Sequence, residues 1–152
     1  IAGDGMERPA IVAAAKEDPD IIYLGSVPYK DMPGLIAGST LALSPKGGAS
    51  GSCTLGLSPL KLYETLACGT PIIVTKYPGQ ADLVRDLDAG VVVPPEDSEA
   101  LASAVALLAS DPISAKAMGA RGRAGVETLH SWDRRAQQTW ELIMKTLGRA
   151  QK

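Results

Sequence analysis

The sequence predicts an α/β domain in which a parallel sheet has helices on both faces. Short β-branched runs alternate along the 152 residues with longer segments of helical periodicity, the pattern of a parallel sheet built from strand–helix units. The run 72–74 is apolar at every position, as expected for a strand that is covered on both faces. Hydrophobic residues make up 45% of the chain and charged residues 21%, which indicates a globular protein.

Turn residues separate the predicted elements along the chain. The strands are expected at 1–2, 21–25, 41–44, 72–74 and 90–93. The helices are expected at 10–16, 29–36, 59–68, 80–87, 98–109, 112–128 and 131–147. The glycines of the sixth helix are expected to weaken it, and Trp132 and Trp140 are expected to anchor the last helix by burying their rings.

The whole chain, 1–152, is expected to form a single domain closed by a helix at 130–148, because this length is enough for one real core. The chain opens on Ile1-Ala2, which resembles the last residues of a strand. We therefore expect a fragment of a longer protein, with the N-terminal part truncated.

The stretch 58–75 contains the candidate binding residues. Ser58 is predicted to cap a helix that begins at Pro59, because serine is a good N-cap and proline fits the first helical position. The free N–H groups of a helix N-terminus suit a phosphate, and Lys61 adds a full positive charge there. Glu64, one turn further on, can accept hydrogen bonds from the paired hydroxyls of a ribose. The alternative is an exposed ion pair between Lys61 and Glu64, three positions apart.

A loop rich in glycine and serine, 46–56, follows a predicted strand and precedes this helix. Ligands of open α/β sheets bind at the carboxyl ends of strands, and the backbone N–H groups of such a loop can surround phosphates. The loop lacks the GK[ST] sequence of a P-loop. An ordinary surface loop is the alternative interpretation.

Composition and the remaining motifs argue against several other classes. The net charge of −2 disfavours a nucleic-acid partner, and no apolar run approaches the ~20 residues of a transmembrane helix. Cys53 and Cys68 match no zinc-binding spacing and are expected to be reduced thiols. The turn 3–5 lacks the third glycine of the dinucleotide fingerprint, and His130 is expected to be a turn residue. We expect neither a metal nor a separate cofactor.

The segment 58–71 resembles the donor-binding motif of family-four (group 1) retaining glycosyltransferases of GT-B architecture. The match runs through Ser58, Pro59, Leu60, Lys61, Leu62, Tyr63, Glu64, Leu66, Ala67, Gly69 and Pro71. The resemblance extends from Gly3 to about Trp140, nearly the whole chain. It implies one half of a GT-B fold, the Rossmann-like domain that binds the nucleotide sugar.

The resemblance implies that the parent enzyme transfers a sugar from a nucleoside diphosphate sugar to an acceptor with retention. It also implies a partner, the N-terminal acceptor-binding domain of the same parent chain, without which this fragment is expected to be inactive. The parent is expected to be cytoplasmic, and peripheral association with a membrane is left open. No catalytic residue is assigned; the implied donor-binding residues are Tyr29, Gly56, Leu57, Ser58, Pro59, Leu60, Lys61 and Glu64.

Position 56 departs from the family pattern, because many relatives have a glutamate where this chain has Gly56. The usual side-chain contact with the donor sugar is therefore in doubt, whereas backbone groups of Gly56 and Leu57 can still face the sugar or the diphosphate. Tyr29 is expected near the nucleobase, with an exposed residue at a helix start as the alternative.

Three other functions stay open. A nucleotide-sugar 2-epimerase has the same architecture, but generally uses several acids and histidines, and this chain has one histidine. A non-catalytic nucleotide-binding module is favoured by Gly56. A receiver-like domain needs an acidic cluster at its first strand end, where this chain has only Asp4.

Overall fold

The computed structural model describes residues 1–48, 56 and 58–150, in two compact units. The first unit is Ile1–Leu35, and the second begins at Ile36. In the first unit, α1 (Arg8–Glu17) follows the glycine turn. A short 3₁₀ turn (Tyr29–Asp31) leads into α2 (Met32–Ala37).

The predicted strand at 21–25 is not formed, and that prediction is wrong. One parallel bridge joins Ala2 to Gly25. It is flanked by hydrogen bonds from the Leu24 N–H to the Ile1 carbonyl at 2.9 Å and from the Gly3 N–H to the Gly25 carbonyl at 2.8 Å. A ladder needs a run of paired residues. Among the described residues, one bridge is all the pairing that this segment makes, so no ladder forms.

The second unit contains a three-stranded parallel sheet in the order β1 (Ala42–Ser44), β2 (Ile72–Thr75), β3 (Gly90–Val93). Ser44 lies opposite Val74 in the register, and Val74 lies opposite Val92. These three strands confirm the predicted parallel α/β sheet.

The helices of the second unit alternate with these strands and then follow one another to the C-terminus. They are α3 (Leu60–Ala67), α4 (Gln80–Asp86), α5 (Ser98–Ser110), α6 (Pro112–Leu129) and α7 (Trp132–Ala150). None of the helices in the described ranges is both long and apolar enough to cross a membrane.

Two apolar clusters lie on opposite faces of the sheet, because successive side chains of β2 point to opposite sides. On one face, Ile72 and Val74 pack with Ala89, just before β3, and with residues of α3, α4 and α6, namely Leu62, Leu66, Leu83, Val84 and Val126. On the other, Ile73 packs with Val93, Ala104, Leu108 and Ala115. Burying each large apolar side chain contributes about 1.5–3 kcal/mol. Helices therefore cover both faces of the sheet, as predicted.

The glycines of α6 have a structural role that their helix propensity does not reveal. A Cβ added at Gly119 would lie 2.0 Å from the carbonyl oxygen of Gly69. One added at Gly122 would lie 2.7 Å from Cδ2 of Leu66. These positions let the backbone of α6 approach α3 and the turn that follows it more closely than any side chain would allow.

The tryptophans of α7 do not anchor the helix by burial, so that expectation is wrong. Trp132 is 78% exposed and Trp140 is 62% exposed. At helical spacing they share one side of α7 with Ile143 and Leu147, which are also exposed. The rings stay in solvent because nothing in the described part of the chain covers that side. The start of α7 is as expected, since the Arg134 N–H donates to Ser131 Oγ at 3.3 Å.

Candidate functional site

The turn after β1 is fixed to the carboxyl edge of the sheet by three hydrogen bonds. The Lys46 N–H donates to Thr75 Oγ1 at 2.9 Å. Two residues later, the Gly48 N–H donates to Glu96 Oε1 at 3.1 Å, and the Tyr77 hydroxyl donates to the Gly48 carbonyl at 3.3 Å. The backbone of this turn is thus tied to the ends of the neighbouring strands, while the Lys46 side chain stays exposed.

Thr75 is itself held in place by a buried glutamine. The Gln80 side chain is fully buried, and its Nε2 donates to the Thr75 carbonyl at 2.7 Å and to Thr75 Oγ1 at 3.0 Å. The Thr75 hydroxyl therefore accepts from both Gln80 and the Lys46 backbone. This connection makes the position of the turn after β1 depend on the packed interior of the sheet.

The N-terminus of α3 differs from the prediction in its first residues. Pro59 has φ −66° and ψ 132°, so it is still extended, and its carbonyl accepts from the Leu62 N–H at 3.0 Å. Pro59 is therefore the N-cap and Leu60 the first helical residue. Ser58 makes no capping hydrogen bond, and the predicted cap is wrong. Its hydroxyl instead lies 2.8 Å from the hydroxyl of Tyr63.

The physical reason is the proline that follows the serine. Pro59 is itself extended, so it takes the N-cap position and Ser58 lies one residue too early to cap the first turn. No described side chain caps the first turn of α3, so its N–H groups still favour an anion.

Lys61 lies in that first turn and is exposed. Desolvation by the surrounding protein lowers the pKa of Lys61, and the positive charge of Lys46 lowers it further. The ion pairs among the described residues are Arg8–Asp4, Arg121–Asp88 and Arg123–Glu127, and neither lysine takes part in them. Lys61 is thus not paired with Glu64.

Glu64 lies one turn after Lys61 and is half-buried. Next to it, the Tyr63 ring lies 5.4 Å from the ring of His130. His130 ends α6, so the expected turn position is confirmed. Burial lowers the pKa of His130, and Arg135, whose Nη2 is 2.6 Å from Nδ1, lowers it further.

For the remaining predicted site residues that it describes, the structure gives backbone conformation or exposure. Gly56 is exposed and has φ +110°, a conformation that a side chain rarely adopts. Leu57 lies outside the described residues, as does Cys53. Tyr29 belongs to the first unit, where it is 75% exposed. Leu60 is 60% exposed at the start of α3.

A pocket of about 280 Å³ opens beside the turn after β1. Its apolar wall includes Val93, Pro94 and Leu101, and Lys46 and Thr75 lie at the side nearest the turn. Sequence reasoning placed the loop 46–56 at this edge but singled out neither Lys46, Thr75 nor Glu96. Lys46 had one available signal, since it follows closely after a predicted strand at the edge where α/β sheets bind ligands. In the described part of the chain, no three His, Cys, Asp or Glu residues form a possible metal site.

Comparison with known proteins decides the family. The family model for Glycosyl transferases group 1 matches residues 1–111. The chain belongs to this family. This match confirms the resemblance seen in the stretch 58–71, and the parallel sheet with helices on both faces agrees with it.

Two relatives illustrate the range of the family. The first is a GDP-mannose-dependent monoacylated alpha-(1-6)-phosphatidylinositol monomannoside mannosyltransferase of Corynebacterium glutamicum, 30% identical over 134 residues. That alignment covers 88% of this chain and 35% of the relative. The second is a D-inositol 3-phosphate glycosyltransferase of Salinispora tropica, 32% identical over 137 residues, or 88% of this chain and 27% of the relative. The group 1 chain thus spans about a third or less of the curated relatives it matches.

Solved structures agree on the fold. Sucrose-phosphate synthase from Thermosynechococcus elongatus matches with a TM-score of 0.78 and 26% identity, over 95% of this chain and 35% of that chain. HepE from Anabaena in complex with UDP matches with a TM-score of 0.73 and 18% identity, over 95% of this chain and 40% of that chain. The group 1 domain therefore has the predicted Rossmann-like fold, one part of a GT-B glycosyltransferase.

Proposed function

We propose that this chain binds a nucleoside diphosphate sugar as the donor-binding domain of a group 1 glycosyltransferase. The parent enzyme transfers the sugar to an acceptor with retention and uses no separate cofactor. The observation that supports this most is the exposed start of α3, where Lys61, Glu64 and N–H groups that no described side chain caps lie within two helical turns of one another.

The diphosphate is held at the start of α3. The partial positive charge of a helix N-terminus and the full charge of an ammonium group both attract an anion. Lys61 is short of a carboxylate partner among the described residues, so a ligand phosphate can replace the missing counter-charge. The backbone of Gly56 is close enough in sequence to contribute N–H groups to the same ligand, together with Leu57.

The ribose is held by Glu64. Its carboxylate lies three residues along α3 from Lys61, a rise of about 4.5 Å along the helix axis. That is a suitable separation for one nucleotide whose phosphates contact Lys61 and whose ribose hydroxyls donate to Glu64. That Tyr29 lies near the base stays a prediction from the sequence.

The acceptor side belongs to the rest of the parent chain, and we propose an N-terminal domain in that role. Relatives include an enzyme named for GDP-mannose, and HepE has been crystallised with UDP and with UDP-glucose. Guanine and uracil nucleotides are thus the donors to test. We place the parent in the cytoplasm, associated at most peripherally with a membrane.

The test is calorimetric titration of the chain with UDP and GDP, comparing the native chain with Glu64→Gln. The substitution keeps the size of the side chain and removes its charge, so the loss of a charge-assisted hydrogen bond is expected to weaken binding by ~1.5–3 kcal/mol. Glu141→Gln on the exposed α7 removes the same charge elsewhere and is the control. Equal affinities for Glu64→Gln and Glu141→Gln would contradict the proposed role of Glu64.

Gly56 favours a second candidate, a non-catalytic nucleotide-binding module. The glutamate that many relatives have at this position is absent, and the φ of +110° does not suit one. Incubating the full-length parent with a panel of nucleotide sugars separates the two candidates. Transfer or hydrolysis supports the enzyme, and tight nucleotide binding without turnover supports the module.

A further inference from the structure

We propose that Glu96 is a positioning residue for the donor site, and that it acts by fixing the backbone of Gly48 near the start of the loop 46–56, which leads to α3. This inference rests on the proposed function, because the loop ends at Gly56, one of the residues that we assign to the nucleotide sugar. Glu96 touches no ligand in this proposal. Its effect on binding passes through the backbone of the loop.

The backbone of Glu96 has a conformation that glutamate rarely adopts. Its φ is +58°, in the left-handed region where glycine, asparagine and aspartate are the usual residues. The next residue, Asp97, caps α5 by accepting from the Ala100 N–H at 2.8 Å. Glycine could therefore make the turn at position 96 at a lower cost, and the helix cap does not use the Glu96 carboxylate. What the glutamate adds is the reach of its side chain.

That side chain holds one of the two backbone polar groups of Gly48. Oε1 of Glu96 accepts from the Gly48 N–H at 3.1 Å, and the Tyr77 hydroxyl donates to the Gly48 carbonyl at 3.3 Å. Tyr77 follows β2 and Glu96 follows β3, so the bonds come from the ends of two different strands. The contact with Glu96 spans 48 positions in sequence and forms only when the sheet is assembled.

The turn after β2 also meets the other end of the loop. A Cβ placed on Gly56 would lie 3.9 Å from the carbonyl oxygen of Pro78, the residue after Tyr77. Gly48 and Gly56 therefore both lie against residues 77–78. If Gly48 is released from Glu96, the start of the loop can move relative to this turn. Part of the binding free energy is then spent on ordering the loop when the nucleotide binds, which lowers affinity.

The experiment compares three substitutions of Glu96 by calorimetric titration of the 152-residue chain with UDP and GDP. Glu96→Gln keeps an oxygen that can accept from Gly48, Glu96→Ala removes it, and Glu96→Gly removes it and also relieves the strained φ. We expect Glu96→Ala and Glu96→Gly to weaken binding roughly two- to tenfold, the change that loss of one hydrogen bond can produce. Glu96→Gln should retain most of the affinity.

Thermal unfolding of the same variants separates positioning from a purely structural role in the turn. Glycine adopts a φ of +58° without strain, so Glu96→Gly should unfold at a temperature equal to or above that of Glu96→Ala. A purely structural role would then make Glu96→Gly the tighter binder of the two, whereas positioning through Gly48 makes both weak. Hydrogen exchange of the Gly48 N–H, followed by NMR, should be faster in both variants than in the native chain.

Two further variants test the contact from other directions. Tyr77→Phe keeps the ring and removes the hydroxyl that donates to the Gly48 carbonyl, so it should weaken UDP and GDP as well. Asp88→Gly is the matched control, because Asp88 is also an acid with positive φ, +47°. It precedes β3, at the opposite end of that strand from Glu96, and its affinity should equal that of the native chain.

The outcomes separate the inference from the proposed function. If the native chain binds neither UDP nor GDP, the proposed function fails and the role of Glu96 fails with it. If the native chain binds and Glu96→Ala matches Asp88→Gly, only the role of Glu96 is overturned. The same holds if Glu96→Gln binds as weakly as Glu96→Ala, if Glu96→Gly regains native affinity, or if exchange of the Gly48 N–H is unchanged. In each of these cases the bond from Gly48 to the Glu96 side chain is not what positions the loop.

Discussion

The two sides of α3 differ in what surrounds them. On the inner side, Leu62 and Leu66 are fully buried against the sheet and α6. On the outer side, Leu60 is 60% exposed and Lys61 has no carboxylate partner among the described residues. The inner side stabilises the fold, and the outer side contributes little to stability and is available to a ligand. Substitutions on the inner side of this helix should therefore change stability, and substitutions on the outer side should change the proposed binding.

The largest expected effect tests the inner side. Leu66→Ala removes a fully buried side chain from the cluster that joins α3 to α6, and we expect it to lower the free energy of unfolding by about 2–5 kcal/mol. Leu60→Ala on the same helix removes an exposed side chain and should change stability by no more than ~0.5 kcal/mol. Urea denaturation followed by circular dichroism measures both.

Affinity for UDP and GDP, measured well below the unfolding transition, should be the same for Leu66→Ala as for the native chain. A specific loss of affinity in that variant would show that the two sides of α3 are not independent.

The next effect tests the close contact between α6 and the turn after α3. Gly119→Ala places a Cβ 2.0 Å from the Gly69 carbonyl oxygen, so we expect a loss of about 1–3 kcal/mol or more from overpacking. Gly148→Ala in α7 meets nothing within 4 Å and should stabilise that helix by up to about 1 kcal/mol. Thermal unfolding of the two variants should therefore shift in opposite directions. Shifts of the same sign would mean that helix propensity, and not the contact with Gly69, decides the role of Gly119.

The central strand and its helices follow from local patterns, which is why the sequence predicts them well. Ile72, Ile73 and Val74 form a β-branched run that any face-to-face packing will bury, and Gly69 and Pro71 end the preceding helix by their own backbone preferences. The C-terminus of α3, β2 and the start of α4 accordingly lie where the sequence puts them.

Sequence patterns could not predict the features that depend on contacts between residues far apart in the chain. The segment 21–25 has strand composition, but pairing needs a partner, and one bridge is all that forms. Trp132 and Trp140 are large enough to anchor a helix, but in the described part of the chain no surface covers their rings. Arg121 pairs with Asp88 at 2.9 Å although the two residues are 33 positions apart in sequence. The influence of Lys46 on the pKa of Lys61 is of the same kind, because the two lysines belong to different elements of the chain.

The smallest expected effect tests the outer side through pH. The pKa of Lys61 is lowered in the folded chain, first by desolvation and then by Lys46, so its proton leaves at a lower pH than in the unfolded chain. Between the lowered pKa and the ordinary range of lysine, the unfolded state binds more protons, and stability should rise slightly with pH. Binding should do the reverse, because the proposed diphosphate contact needs the ammonium form.

We therefore expect the ratio of UDP affinities between the native chain and Lys61→Ala to fall towards one as the pH is raised through the lowered pKa of Lys61. Ionisation of the base is common to both proteins and cancels in this ratio. Near that pKa, calorimetry in two buffers of different ionisation enthalpy should show proton uptake on binding, because a phosphate beside Lys61 favours its charged form. In Lys46→Ala the midpoint should move to higher pH, since one source of repulsion is gone. A ratio that stays constant over the alkaline range would place Lys61 away from the phosphates, and the outer side of α3 would then be no different from any other exposed helix surface.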